Sequence, residues 1–300
     1  MPFLQLFLFT CVLELVLGCS NLPDSLVRHV SCKRGPMDLG RRRRRMVGPV
    51  ENRGIKNLPW LARLEFMNGE PLLGKIIIAN GGALIAPNLI LTAGHNMYIA
   101  REFTKELLTT EKDHILAHAG SSTRWISSWG SQLQSVKSFH YRDGADLVIV
   151  ETVLPFSCFS PYIALAELAP SRRYLRYASE CKTGGWGKGE GNVCEWKVKV
   201  GEMKPTSYNI SGYIITEGKR DGVAASLGDS GAPLMCRDPE SNAWQLYGVL
   251  SYVYKTKGGK KLAAFVDLEK HLDWIADIKQ QHGSQFPLQT QSFQASCQVM

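Results

Sequence analysis

Short Val/Ile/Leu-rich runs separated by Gly, Pro, Asn and Asp recur through the body of the chain. The clearest are Lys75–Ile78, Leu89–Leu91, Leu147–Glu151, Lys197–Val200 and Gln245–Ser251. Runs this short, rich in β-branched residues and bounded by turn formers, predict strands. The pattern changes near the C-terminus. There Leu268, Leu272, Ile275 and Ile278 recur at spacings of four, three and three, which puts them on one face of a helix. The chain therefore reads as all-β with one terminal helix and no internal repeat. Residues 282–300 are polar and Gln-rich and read as a flexible tail.

Residues 3–17 (FLQLFLFTCVLELVL) form an apolar run of a different kind. A membrane span takes about 20 residues, so this length suits the core of a secretory signal. Gly18 and Ser20 offer small residues for cleavage, and residues 1–20 are read as a signal peptide. A short membrane anchor fits the same run, and Val16-Leu17-Gly18-Cys19 loosely matches a lipoprotein signal. No other stretch is long enough to span a bilayer, so a secreted, extracellular product is expected. Such a compartment is oxidising and permits disulfides. Removal of residues 1–20 leaves Cys32, Cys158, Cys181, Cys194, Cys236 and Cys297, which allow fifteen pairings.

A composition of 44% hydrophobic and 21% charged residues over 300 positions excludes disordered, collagen-like and multi-span membrane chains. A net charge of +8 and a pI near 9.0 would suggest an anionic partner if they belonged to the whole chain. They do not. Residues 1–45 hold eight Lys/Arg against three Asp/Glu, or +5, which leaves 27 against 24, or +3, for residues 46–300. The leader's charge is concentrated in Arg41–Arg45, just before Met46-Val47-Gly48. Behind a secretory signal, such a run suits basic-site convertases, so residues 21–45 read as a propeptide cut after Arg45. A polyanion-binding patch is its alternative use. No nucleic-acid partner is expected.

Three local patterns carry chemistry. The first is Gly81-Gly82-Ala83-Leu84-Ile85 followed by Leu91-Thr92-Ala93-Gly94-His95. The second is Asp146 opening Leu147-Val148-Ile149-Val150, and the third is Gly228-Asp229-Ser230-Gly231-Ala232-Pro233-Leu234. Alone, each is a polar strand end, a turn residue or a tight turn. Together, in this order and with strands between them, they resemble the chymotrypsin/trypsin-like serine proteases, over nearly all of residues 46–280. His95, Asp146 and Ser230 follow at separations of 51 and 84 residues, in the His, Asp, Ser order of that group. Cys181-Lys182-Thr183-Gly184-Gly185-Trp186-Gly187, Gly248-Val249-Leu250-Ser251-Tyr252 and Ala264-Phe265-Val266-Asp267-Leu268 are similar to further segments of the family.

The resemblance implies two six-stranded antiparallel β-barrels, at about 46–160 and 161–267, with a C-terminal helix at about 268–281. The divide falls near Leu154–Pro170, and the protease domain spans 46–281. It assigns His95 as general base, Asp146 as its orienting acid and Ser230 as nucleophile. The backbone N–H groups of Gly228 and Ser230 form the oxyanion hole, and Ser251 supports Asp146. Cleavage after Arg45 frees the amine of Met46 to pair with Asp229. Met46 stands where Ile or Val is usual, and Pro49 stands at the fourth position. Ala224 occupies the base of the primary pocket, with Val253 and Ala263 on its walls. With no carboxylate there, the pocket suits small or medium apolar side chains. Cleavage at Arg45 would then need a second, basic-site protease.

The resemblance also pairs Cys181 with Cys236. Two other family bridges are missing: Asn80 and Asn96 stand in for one pair, and Ser226 for a member of another. Cys32 would tie the leader to Cys158, leaving Cys194 and Cys297 unassigned. The remaining histidines, His29, His114, His118, His140, His271 and His282, show no metal-ligand spacing with Cys, so neither metal nor cofactor is expected. Asn209-Ile210-Ser211 is a glycosylation sequon, and Lys255–Lys261 is a basic loop beside the expected pocket. The expected partners are protein or peptide substrates, the activating protease and protein protease inhibitors. A non-catalytic homologue serving as a binding or adaptor protein is the rival reading, and a polyanion-binding protein led by the arginine run is the third.

Overall fold

The computed structural model describes residues 55, 58–68, 75–97, 115–123, 131–156, 162–187, 197–220, 225–226 and 228–284. The signal and propeptide, Arg45, Met46, Ala224, Cys32, Cys158, Cys194 and Cys297 lie outside them.

Six strands close the first barrel: β1 (Leu61–Asn68), β2 (Lys75–Ala86), β3 (Leu89–Thr92), β4 (Ile115–Ala119), β5 (Gln132–Tyr141) and β6 (Val148–Thr152). Their order around the ring is β1-β2-β3-β6-β5-β4, and every pair is antiparallel. The second barrel uses β8 (Cys181–Gly185), β9 (Lys199–Ile210), β10 (Tyr213–Gly218), β11 (Pro233–Arg237), β12 (Trp244–Lys255) and β13 (Lys261–Asp267). A β11–β12 pairing closes this ring. The two-residue β7 (Glu167–Leu168) adds to it as a parallel neighbour of β12.

The two-residue period of a strand explains the unbroken apolar runs. Ile90, Val148 and Val150 point into the first barrel, among Ala62, Leu64, Phe66 and Leu84. Their neighbours Leu89, Leu91, Leu147 and Ile149 point outward, into a cluster shared with Leu246, Val249 and Val266 of the second barrel. A strand buried on both faces carries no polar alternation. The same outer cluster takes Leu268 and Ile275 from the C-terminal segment. That segment is a 3-10 turn over Leu268–His271 and then helix α1, Leu272–His282. The helix therefore starts later than the sequence reading placed it and includes His282, which that reading assigned to the tail.

Cys181 and Cys236 sit opposite each other on β8 and β11 and are joined by a disulfide. The bridge closes a loop of 55 residues, a length at which it should contribute about 2–4 kcal/mol. Replacing both cysteines with serine should lower the melting temperature by roughly 5–15 °C. A calorimetric scan showing no change would contradict that role.

Candidate active site

The first barrel supplies His95 and Asp146. His95 follows β3, inside a helical turn at 94–97, and Asp146 lies in the β5–β6 turn just before β6. The adjacent antiparallel strands β3 and β6 bring the two together. Asp146 grips the histidine twice. Its Oδ2 lies 2.8 Å from Nδ1, and its Oδ1 accepts the His95 backbone N–H at 2.7 Å. Gly94 permits this approach, because a Cβ there would lie 3.3 Å from Oδ1. Ser251 reaches over from β12 of the second barrel and donates its Oγ–H to Asp146 Oδ2 at 2.5 Å.

Burial alone would raise the Asp146 pKa, but the His95 ring, the Ser251 hydroxyl and the His95 N–H outweigh it, and the carboxyl lies below its ordinary range. Tyr213 on β10 completes the surround. Burial and the Asp146 charge push its phenol up, while its contact with Ser251 pulls the other way.

Folding thus favours ionised Asp146. That contribution is present above its unfolded pKa of about 3.9 and is lost as pH falls through the lower folded value. Ser251→Ala removes one donor and raises the folded value. Acid unfolding, followed by near-UV circular dichroism, should therefore begin at a higher pH. An unchanged onset would show that Ser251 contributes nothing to holding the carboxylate.

Ser230 comes from the turn entering β11. Gly228 adopts φ +92° and Gly231 φ +82°, so the nucleophile candidate is bracketed by two left-handed residues. Asp229 is buried, and its carboxylate lies against the Gly185–Gly187 segment. Its Oδ1 accepts Gly187 N–H at 2.8 Å and its Oδ2 accepts Ser226 N–H at 2.9 Å. Side chains at Gly185 or Gly187 would collide with that carboxylate at 2.4–2.7 Å, which accounts for the Gly-Trp-Gly sequence. The Ser230 carbonyl accepts Gly81 N–H at 2.9 Å, and Gly231 N–H donates to Leu250 O at 2.7 Å. One turn is therefore pinned to both barrels.

Asn96, read in the sequence only as a missing cysteine, is fully buried and has a task of its own. Its Nδ2 donates to Ser230 O at 3.3 Å and to Thr92 Oγ1 at 3.2 Å, and Thr92 Oγ1 donates to Gly81 O at 2.7 Å. This polar clasp links the turn behind His95 to the turn bearing Ser230. Thr92 stood in the string before His95 with no role of its own, and nothing in the sequence flagged Tyr213, whose partners Asp146 and Ser251 are distant along the chain.

Val253 and Ala263, the two expected pocket-wall residues, face each other across β12 and β13. Val253 packs against the cluster that holds Ala263, Ala225 and Phe265.

With this architecture in view, similarity to known proteins adds a family. The Trypsin family model matches residues 49–275, and the chain belongs to the trypsin family of serine proteases. Over 214 residues it is 22% identical to an ovochymase of Halocynthia roretzi, covering 65% of this chain and 13% of that protein. It is 23% identical over 256 residues to mannan-binding lectin serine protease 1 of Mus musculus, covering 74% of this chain and 33% of that protein. Chymotrypsin-like elastase family member 3A of Homo sapiens is 24% identical over 253 residues, 75% of this chain and 85% of that protein. The chain thus spans a third or less of the first two relatives. Among the described residues, no helix is long and apolar enough to cross a membrane.

Proposed function

We propose that the chain is a secreted serine endopeptidase that hydrolyses peptide bonds through an acyl-enzyme. The observation that carries this reading is the coupling of His95, through Nδ1 and N–H, to an Asp146 held by Ser251 from the other barrel. An acid fixed on Nδ1 sets the tautomer that leaves Nε2 free to act as base. Ser230 Oγ attacks the scissile carbonyl as His95 takes its proton, and Asp146 stabilises the imidazolium. The tetrahedral oxyanion accepts hydrogen bonds from the N–H groups of Gly228 and Ser230. Each such donor is worth about 10²–10³ in turnover. His95 then protonates the leaving amine, and water resolves the acyl-enzyme by the same steps in reverse.

The turn at 228–231 depends on where Asp229 points. The amine of Met46, released by cleavage after Arg45, would be the cation that holds it there, so the chain is made as a zymogen. The apolar wall of Val253 and Ala263, with Ala224 and no carboxylate at the pocket base, favours small or medium apolar residues before the cut. A buried lysine or arginine would lack a counter-charge there. A separate basic-site protease therefore performs the activation.

The test is to cleave the purified chain after Arg45 and treat it with a fluorophosphonate probe before and after. Labelling should rise on cleavage, and a peptide library should show Ala, Val, Leu or Met preceding the cut. Absence of labelling would leave the non-catalytic binding homologue as the surviving reading. Efficient cleavage after Lys or Arg would overturn the pocket assignment.

A further inference from the structure

A second cluster lies away from the proposed reaction centre, where the end of α1 meets the first barrel. His140 on β5, Glu151 on β6 and His282 at the helix terminus converge there. Glu151 Oε2 lies 3.2 Å from His140 Nε2 and 3.4 Å from His282 Nδ1. All three atoms fall within 4.8 Å of one another, and the two imidazole centroids are 4.1 Å apart. We propose that these three side chains form a zinc site that clamps the C-terminal helix to the first barrel.

The spacing argues for a shared ion. Zinc binds nitrogen and oxygen at about 2.0–2.2 Å, so two ligands at a tetrahedral angle stand about 3.3–3.5 Å apart. The carboxylate oxygen already holds nearly that distance from both imidazole nitrogens. Two imidazoles and one carboxylate are also a donor set that suits zinc, with water in the fourth position.

The surroundings are prepared for an ion as well. The Glu151 side chain is only 5% exposed and that of His140 15%, whereas His282 at 35% leaves an entry path. Lys137 Nζ bonds Glu151 Oε1 at 2.6 Å, and Ser138 donates to Oε2 at 2.7 Å. The lysine occupies the oxygen that the ion would not use, and its 59% exposure lets it swing outward. Partners of this kind orient a ligating carboxylate.

His282 is itself pre-positioned through its backbone. Asn88 Nδ2 donates to His282 O at 2.8 Å, and Ser284 N–H donates to Asn88 Oδ1 at 2.7 Å. The ligands come from two strands and a helix end, so no local spacing betrayed them in the sequence. An ion here would also brace the β5–β6 hairpin whose turn carries Asp146.

The experiment is a zinc titration of the metal-stripped full chain, read by isothermal calorimetry and by melting temperature. Binding of one ion per chain should raise the melting temperature by about 5–10 °C when zinc stands a hundredfold above its dissociation constant. Cobalt in place of zinc should give the visible bands of a four-coordinate site. His140→Ala and His282→Gln should each weaken binding at least about tenfold and abolish those bands. His282→Gln sits at a partly exposed helix end, so it remains informative even if His140→Ala folds poorly. His95→Ala should retain both signals, which separates this site from the proposed reaction centre. No heat and no stabilisation in the unmodified chain would overturn the proposal. So would a stabilisation that survives His282→Gln or disappears in His95→Ala.

Discussion

Ser230→Ala should lower peptide hydrolysis by the activated chain about 10⁶-fold in kcat while leaving its melting temperature within a degree or two of the parent. The Ser230 side chain is not what holds its turn. The turn is fixed by backbone groups, Ser230 O to Gly81 N–H and Gly231 N–H to Leu250 O, and by the Asp229 carboxylate. Deleting one hydroxyl leaves all of these in place. Rate and stability should therefore separate completely, which a general loss of fold would not produce. The residue left behind retains the oxyanion donors, so hydrolysis about 10³-fold above that of water would persist. The measurement is a progress curve on a peptide ester beside a thermal scan of the same sample. Undiminished hydrolysis in the variant would show that Ser230 is not the nucleophile.

The fold was legible in the sequence where burial is two-sided. Leu147–Val150 and Leu89–Leu91 read as strands because both their faces meet apolar partners, inside the barrel and between the barrels. β5 was harder to read. Its solvent-facing positions include the exposed Leu133, while Val136 is buried, so its pattern is neither a clean alternation nor an apolar run. β1 carries the fully buried Arg63, which pairs with Glu65 and bonds His118 Nδ1 at 2.7 Å. A buried arginine looks, in sequence, like a surface residue.

The same physical division applies to the candidate site. His95, Asp146, Ser230 and Asp229 were legible because each sits in a local string whose glycines have geometric causes, such as Gly94 beside Asp146 and Gly187 beside Asp229. Thr92, Asn96 and Tyr213 were not. Thr92 matters only through Asn96, whose partner, like those of Tyr213, is brought near by the closed barrels, and a buried amide bonding a carbonyl 134 residues away leaves no local trace.

Among the described glycines, Gly231→Ala should be the most damaging substitution. With φ at +82°, the residue sits in the left-handed region that side chains rarely adopt, at a cost of about 1–2 kcal/mol. The space is the larger obstacle. An added Cβ would lie 2.1 Å from Gly81 O, 2.1 Å from Thr92 Oγ1 and 2.9 Å from Asn96 Nδ2. All three atoms belong to the polar clasp between the barrels, and Gly81 O is a backbone atom that cannot rotate away. Overpacking of this kind costs about 1–3 kcal/mol more, so the total is about 2–5 kcal/mol and the melting temperature should fall by roughly 5–20 °C. Gly144→Ala separates the two contributions. Gly144 has a similar φ of +72°, but nothing lies within 4 Å of an added Cβ, so only the backbone cost applies. Whatever fraction of Gly231→Ala folds must also push Gly81 away from Ser230 O, displacing the nucleophile, and kcat should fall with stability in this variant. Equal thermal losses for the two substitutions would mean that the junction yields freely, and that Gly231 is present for its φ alone.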